Sequence, residues 1–237
     1  MLSSIKNRLV AILGNENALF QRGRILRRKL ARTDERIRNA YLASAVDPKL
    51  QIGGGWCRKD GWLNTDLERL PGTMYMDATR RFPFEDGTFQ YVYCEHMIEH
   101  VTYEDAAFML TECWRVLRPS GTIRIVTPDF GAMIGLYSDV RHSTQSNYLD
   151  YFCTAHLPKT RPANAVAVIN GQMRMWGHQF IYDECTLTRA MAGAGFRSIN
   201  RKRLGESDHN ALLAIDNETR YPPGLLDFES LTLEANR

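Results

Sequence analysis

Between residues 50 and 129 the chain repeats one pattern, a short β-prone apolar run that ends in glycine or in an acid. The runs and their ends are Leu50–Ile52 before Gly53-Gly54-Gly55, Trp62–Thr65 before Asp66, Met74–Met76 before Asp77, Gln90–Tyr93 shortly before Glu95, and Thr122–Val126 shortly before Asp129. Strands of this kind, separated by loops or helices, are typical of an open parallel sheet with a ligand at its carboxyl edge. We therefore predict an α/β fold, a mostly parallel sheet with helices on both faces.

Charge divides the chain into two parts. Residues 1–40 carry ten Lys and Arg against three acids, whereas the remaining residues carry twenty against twenty-four. A chain of 237 residues is long enough for one well-packed α/β domain and an appendage. We predict a basic helical N-terminal arm over residues 1–46 and a single domain over residues 47–237.

The arm permits three interpretations. Residues 2–13 place apolar side chains on one helical face, and residues 17–42 form a second helical stretch that is rich in arginine. Such an arm can dock on its own domain or on a second copy of the chain. It can also lie on an anionic membrane surface or contact nucleic acid.

Cysteine usage indicates a reducing compartment. The five cysteines are odd in number and form no CxxC pair. The apolar run at residues 9–13 is too short for a secretory core, and no run approaches the ~20 apolar residues of a spanning helix. We expect a cytoplasmic protein, with peripheral contact at the inner membrane as the alternative.

The glycine turn after the first strand lets backbone pass close to a ligand, because no Cβ stands in the way. The dinucleotide fingerprint GxGxxG requires a third glycine, and Arg58 stands at that position. Ten residues, 53–62, separate Ile52 from Leu63, which is short for a crossover helix. A nicotinamide dinucleotide is therefore disfavoured, and we expect the first crossover to be a loop or a single turn.

Acids follow the second and third strands. A carboxylate at Asp66 is placed to accept both hydroxyls of an adenosine ribose. Asp77 can accept the exocyclic amine of an adenine, with the backbone of Ala78 beside it. Either acid alone is better explained as a cap or turn residue. Two acids and a triglycine turn at successive strand ends favour a ligand site.

A cluster of Glu and His follows the fourth strand. Glu95 and Glu99, and His96 and His100, are each four residues apart, so one helical turn would bring each pair together. Such residues can bind a metal. Because no second His or Cys cluster with ligand spacing accompanies them, we predict no metal. We interpret His100 as a packed, hydrogen-bonded histidine at a helix start.

Over roughly residues 48–130 this order of motifs resembles the class I S-adenosylmethionine-dependent methyltransferases. Later segments, Gly177-His178-Gln179-Phe180 and Ala194-Gly195-Phe196, are also similar to that family. The resemblance implies a Rossmann-like fold and S-adenosylmethionine as cofactor. It also implies a cofactor site formed by Gly53, Gly54, Gly55, Asp66, Asp77, Ala78 and Glu95.

The resemblance implies direct methyl transfer to an oxygen or nitrogen of a small-molecule or sugar/glycan acceptor, and a place in polysaccharide biosynthesis. An oxygen acceptor usually needs a general base. His96 is the first candidate, followed by His178 and Asp129. A non-catalytic scaffold with this fold, or an RNA methyltransferase that uses the arm, remains an alternative. Nucleic-acid bases are disfavoured, because no Asn/Asp-Pro-Pro-aromatic run follows the fourth strand.

Overall fold

The computed structural model describes residues 16–216 and 218–237, with the backbone alone for residues 16–29 and 218. The chain divides into two compact units, Met1–Ala45 and Val46–Arg237. The described part of the first unit is one long helix, α1, Glu16–Ser44, where the sequence predicts a helix. The helix predicted over residues 2–13 lies outside the described residues. No helix among those described is long and apolar enough to cross a membrane.

The second unit contains a seven-stranded sheet and six α-helices within the described residues. The strands are β1 Lys49–Ile52, β2 Leu63–Asp66, β3 Met74–Tyr75, β4 Phe89–Glu95, β5 Leu117–Pro128, β6 Arg197–Lys202 and β7 Ser230–Asn236. The helices are α2 Tyr103–Val116, α3 Phe130–Gly135, α4 Ser143–His156, α5 Ala165–Arg174, α6 Glu184–Ala194 and α7 Leu225–Glu229, with 3₁₀ turns at Ile98–His100 and Glu218–Arg220.

The strand order is β3-β2-β1-β4-β5-β7-β6. All neighbours are parallel except β7, which runs antiparallel to both β5 and β6. The order reverses between β1 and β4, where Ile52 pairs with Cys94. Such a reversal opens a crevice beyond the carboxyl ends of the strands, where α/β sheets bind ligands. The predicted α/β class with a mostly parallel sheet is confirmed.

The core lies along the central strands. Leu50, Val92, Ile123 and Leu233, one from each of four neighbouring strands, are at most 1% exposed. Parallel strands that are covered on both faces read as near-continuous buried runs, and β5 is buried from Gly121 to Pro128. The rigid sheet therefore fixes the positions from which the strand-end residues project.

The first crossover has no helix, and the last strand of the chain is not an edge strand. Residues 53–62 form turns without a helix, so the short first crossover is confirmed. The last strand, β7, lies inside the sheet between β5 and β6. The polar side chains Thr232 and Glu234 are buried along with the apolar ones, so both faces of this strand are covered. The edge strand at this end of the sheet is β6.

Candidate functional site

Two cavities lie beyond the carboxyl ends of the parallel strands. The first, the glycine-turn cavity, has a volume of about 490 Å³ and is bordered by the ends of β1, β2 and β3. Its lining includes Gly53, Gly55, Asp66, Asp77, Ala78, His96, Met97 and His100. The second, the histidine cavity, has a volume of about 290 Å³, and its lining includes His96, Glu99, His100, Gln172, Trp176, His178, Arg220, Tyr221 and Glu229. His96 and His100 border both cavities.

The glycine turn combines two structural requirements. Gly53 and Gly55 have φ of +65° and +49°, a left-handed backbone that other residues rarely adopt. A Cβ on Gly53 would lie 2.3 Å from Cγ of Met97, so glycine lets the turn pack against that side chain. At Gly55 the nearest atom to such a Cβ is 4.0 Å away, on the Asp66 carboxylate, so the backbone here is open to the cavity.

Gly54 does not line the glycine-turn cavity. Its N–H donates to the carbonyl of Thr65 at 3.0 Å, and a Cβ would lie 2.9 Å from the Gln51 side chain. This glycine therefore fits the turn against β1 and β2. Of the three glycines expected in the cofactor site, Gly53 and Gly55 face the cavity.

Asp66 ends β2 with its carboxylate at the cavity. Its Oδ2 accepts from the Gly55 N–H and its Oδ1 from the Glu68 N–H, each at 2.8 Å. A carboxylate has about four acceptor positions, so each oxygen keeps capacity for one more donor. The backbone bonds fix the carboxylate in place and leave it able to receive two hydroxyls.

Asp77 serves a turn and lines the cavity as well. Its Oδ1 accepts from the Thr79 hydroxyl at 2.7 Å and from the Thr79 N–H at 3.0 Å, and Arg80 Nε lies 3.0 Å from Oδ2. The hydrogen bond from the Thr79 hydroxyl is the main cause that lowers the pKa of Asp77, so this carboxyl is ionised. Ala78 lies beside it at the cavity wall.

Glu95 was expected among the cofactor-binding residues, but it lines neither cavity. Its buried carboxylate accepts from Arg220 Nη2 at 2.7 Å, and Lys59 Nζ lies 3.8 Å from its other oxygen. Burial without a partner would be costly for a carboxylate, and these cations compensate it. Glu95 thereby positions Arg220, which does line the histidine cavity, and its role in cofactor binding stays a prediction.

His96 is held at the boundary of the two cavities. Its φ of +47° is left-handed, a conformation that costs a non-glycine residue on the order of 1–3 kcal/mol and that is concentrated at functional sites. The N–H of His96 donates to the carbonyl of Val126 at 2.8 Å, which holds this turn against the end of β5. The side chain of His96 thereby leaves the strand direction and borders both cavities.

The His96 side chain pairs with a fully buried glutamate. Its Nδ1 lies 3.3 Å from Oε1 of Glu99, whose Oε2 accepts from the Thr127 hydroxyl at 3.0 Å. Burial favours the neutral imidazole, but the interaction with the Glu99 carboxylate outweighs burial and raises the pKa of His96. Burial likewise opposes ionisation of Glu99. The interaction with His96 outweighs the effect of burial, so the pKa of the Glu99 carboxyl is lowered.

Two atoms of this pair stay without a hydrogen bond. Among the described residues, neither Nε2 of His96 nor Oε1 of Glu99 has a hydrogen-bond partner, although both atoms are buried. Buried polar groups are hydrogen-bonded in the great majority of cases, so each exception needs an explanation. Here both exceptions belong to side chains that line a cavity, which indicates a ligand site.

His178 also lines the histidine cavity. Its Nδ1 contacts the carbonyl of Gln172, and since a carbonyl only accepts, Nδ1 carries the proton. Burial is the main cause that lowers the pKa of His178, so the ring is neutral and its Nε2 is an acceptor. The rings of His178 and His100 lie edge to face with centroids 4.8 Å apart.

Asp129, the third expected base, lines neither cavity. Its carboxylate caps helix α3 by accepting from the N–H groups of Gly131 at 2.8 Å and Ala132 at 3.3 Å. Arg201 Nη2 lies 2.7 Å from its other oxygen. These partners make Asp129 the cap of helix α3, and its role as a catalytic base stays a prediction.

Several residues of the histidine cavity come from distant parts of the chain. Gln172 and Trp176 come from α5 and the turn after it, while Arg220, Tyr221 and Glu229 come from the last part of the chain. No local motif marks these residues. His100 does have a sequence signal for this site, its spacing of four residues from His96. The interpretation of His100 as a packed histidine did not use that spacing.

A comparison with family models agrees with this geometry. Residues 60–125 match the model described as a methyltransferase domain. This range begins just before β2 and ends within β5, so it includes Asp66, Asp77 and the histidines after β4. A comparison with curated proteins gave no match.

Solved methyltransferases with related folds show low sequence identity. A SAM-dependent methyltransferase from Archaeoglobus fulgidus is 15% identical, with 88% of this chain and 94% of that chain covered and a TM-score of 0.48. One from Mesorhizobium loti is 17% identical, with coverage of 84% and 96% and a TM-score of 0.45. Phosphoethanolamine N-methyltransferase 2 from Haemonchus contortus, in complex with S-adenosyl-L-methionine, is 15% identical, with coverage of 87% and 52% and a TM-score of 0.42.

The strand order of this chain and the family-model match carry the assignment, because the similarities to solved structures are low. The sheet has the reversal between β1 and β4 and the antiparallel β7 beside β5. The match covers the ends of β2 and β3 at the glycine-turn cavity, with Asp66 and Asp77, while β1 and the glycine turn precede the matched range. The resemblance predicted from the sequence is confirmed: residues 60–125 match a methyltransferase domain, and the sheet has the Rossmann-like fold of the class I methyltransferases.

Proposed function

We propose that this chain transfers a methyl group from S-adenosylmethionine to an oxygen or nitrogen of a small-molecule acceptor, in particular a sugar or glycan. The observation that carries the proposal is the meeting of two cavities at His96 and His100. One cavity has the acids and the glycine turn that suit the donor. The other has polar and aromatic side chains that suit an acceptor.

The residues of the glycine-turn cavity fit the donor. The remaining acceptor positions of Asp66 would take the two ribose hydroxyls. Asp77 and the backbone of Ala78 would hold the adenine, and the open backbone at Gly55 would pass close to the methionine portion. When bound, S-adenosylmethionine supplies a sulfonium methyl group that an acceptor oxygen or nitrogen can attack.

The chain contributes alignment, exclusion of water and a proton acceptor. Holding two reactants in a productive geometry can supply much of the rate enhancement. An acceptor in the histidine cavity would lie beside His96, whose buried Nε2 has no hydrogen-bond partner among the described residues. We assign to this atom the role of general base for a hydroxyl acceptor, with Nε2 of His178 as the second candidate. Asp129, which caps helix α3, stays the third candidate.

A transfer assay with labelled donor tests the proposal. Full-length protein is incubated with S-adenosylmethionine carrying a tritiated methyl group and with fractionated acceptor pools of sugars, glycans, other small molecules and RNA. We expect label in a sugar, glycan or other small-molecule fraction with the native chain and with the exposed control Asp60→Asn. We expect a strong loss of label with Asp66→Asn, because the donor is bound less tightly.

Other outcomes of the same assay favour the alternatives. Donor binding without transfer to any pool would overturn catalysis and favour a scaffold protein. Label in RNA that disappears when residues 1–40 are removed would favour an RNA methyltransferase that uses the basic arm. Transfer only to small molecules, unchanged by that deletion, would support the proposal.

The surplus of seven positive charges in residues 1–40 supports peripheral contact of a cytoplasmic protein with anionic lipid, with self-association of the arm as the alternative. Sedimentation with phosphatidylglycerol vesicles tests membrane contact. We expect the full chain to sediment and a chain without residues 1–40 to stay in the supernatant. Equal sedimentation of both chains would overturn membrane contact through the arm. In that case, mass measurement of the two chains in solution would test self-association.

A further inference from the structure

Three ligating side chains converge on one side of the histidine cavity. Glu99, His100 and His178 each offer one atom, and these three atoms lie within 4.8 Å of one another. Two imidazole nitrogens and one carboxylate oxygen are a donor set that suits divalent transition metals, and catalytic zinc sites use the same set with an open fourth position. Glu99, His100 and His178 are therefore a candidate metal site.

A second observation points independently to a ligand. The Glu99 side chain is fully buried, and its Oε1 has no hydrogen-bond partner in the described parts of the chain. An ionised carboxylate in such a place needs compensation by a cation or by hydrogen bonds. The one nearby basic group that contacts this oxygen is the His96 imidazole, at 3.3 Å, within the described residues. A bound cation would supply the missing partner.

The surroundings orient two of the three side chains for this task. Nδ1 of His178 donates to the carbonyl of Gln172, which leaves Nε2 free to bind. The Thr127 hydroxyl donates to Oε2 of Glu99 at 3.0 Å. Ligating histidines almost always donate their other N–H to a carbonyl or carboxylate, and ligating carboxylates are hydrogen-bonded in turn. The cluster therefore has the outer hydrogen bonds of a metal site.

We infer that Glu99, His100 and His178 bind a divalent transition-metal ion such as Zn²⁺ or Mn²⁺, with an open position toward the histidine cavity. The sequence predicts no metal, because it contains no second cluster of His or Cys residues with ligand spacing. The fold supplies the third ligand from His178, on the turn after α5. If the proposed function holds, the ion would bind the acceptor oxygen and lower its pKa. Metal binding itself does not depend on that function.

Titration calorimetry tests this inference directly. The full-length protein is stripped with a chelator and titrated with Zn²⁺ and Mn²⁺, with Mg²⁺ as a hard-cation comparison. We expect one equivalent of Zn²⁺ or Mn²⁺ to bind. The variants His100→Ala, His178→Gln and Glu99→Gln should each lower that affinity by at least the 10–100-fold typical for loss of a supporting residue. The control His209→Ala, which removes an imidazole beside Thr122, should bind like the native chain.

Thermal unfolding with and without the ion gives a second readout. The ion should raise the Tm of the native chain and of His209→Ala, but not that of a folded ligand variant. Two results would overturn the inference: no binding of Zn²⁺ or Mn²⁺ at millimolar concentration, or binding that persists unchanged in His100→Ala and His178→Gln. S-adenosylhomocysteine is titrated into the same samples. If it binds and the metals do not, the inference fails and the proposed function stands.

Discussion

Two buried charged clusters in this sheet differ in how completely their polar atoms are paired. The first surrounds Arg124 on β5, whose side chain is fully buried. Its guanidinium donates to Asp216 through Nε and Nη2, to Glu234 at 2.7 Å, and to the carbonyls of Glu206 and Arg203. All five N–H groups of the guanidinium therefore have partners.

The second cluster lies at the carboxyl ends of β4 and β5. It joins His96, Glu99 and Thr127, but Nε2 of His96 and Oε1 of Glu99 have no hydrogen-bond partner among the described residues. Arg124, Asp216 and Glu234 line neither of the two cavities, whereas His96 in the second cluster lines both. Complete pairing indicates a structural role, and incomplete pairing at a strand-end crevice indicates a ligand.

The largest expected effect comes from breaking the complete cluster. Arg124→Met leaves Asp216 and Glu234 buried without their cation, and removal of one partner from a buried ion pair costs about 3–5 kcal/mol. Urea unfolding of the native and variant chains measures this loss. Arg118→Met is the matched control, because its contact with Asp47 is partly exposed and should contribute at most about 1 kcal/mol. A loss below about 1 kcal/mol for Arg124→Met would contradict the structural role.

A smaller loss is expected from the incomplete cluster. Glu99→Gln keeps the shape of the side chain and an acceptor for Thr127, and it removes only the attraction to His96. We expect a loss of about 1 kcal/mol, near the net value of one hydrogen bond. The same urea unfolding experiment in metal-free buffer checks it. A loss as large as that of Arg124→Met would mean that both clusters are structural, and the contrast between them would fail.

The smallest effect concerns Glu229, whose Oε2 accepts from Tyr148 and Gln172 at the wall of the histidine cavity. Burial is the main cause that raises the pKa of Glu229 above its ordinary value of 4.5. In the interval between the two pKa values the folded chain binds more protons than the unfolded one, so stability falls as the pH rises above 4.5.

The variant Glu229→Gln removes this titration. Its stability relative to the native chain should therefore increase as the pH is raised from about 4 to about 7, because only the native chain then ionises a buried carboxyl. Urea unfolding at both pH values measures the difference. A stability difference that does not change with pH would show that the folded chain does not perturb this carboxyl.

The glycine-turn cavity could be predicted because its sequence signals are local. A glycine turn and acids after short strands place Gly55, Asp66 and Asp77 at one sheet edge whatever the distant chain does. The same logic did not predict the partners of Glu95 and Asp129. At these positions a remote arginine or a helix cap decides the side chain's direction, and neither is visible in the local sequence.

Most residues of the histidine cavity could not be predicted from the sequence, for a different reason. Its walls come from the segment after β4, from α5 with its following turn, and from the last twenty residues of the chain. Contacts between such distant segments depend on how helices pack rather than on periodicity. His178 was identified only through the family resemblance, and its approach to His100 required the folded chain.

The central claim is that the glycine-turn cavity binds the methyl donor through Asp66. Titration calorimetry with S-adenosylhomocysteine tests it most directly, with the native chain, Asp66→Asn and the exposed control Asp60→Asn. Hydrogen bonds to a charged group contribute about 1.5–3 kcal/mol, so Asp66→Asn should weaken binding by roughly 10–150-fold, while Asp60→Asn should bind like the native chain. No saturable binding to the native chain, or equal binding by both variants, would contradict the claim.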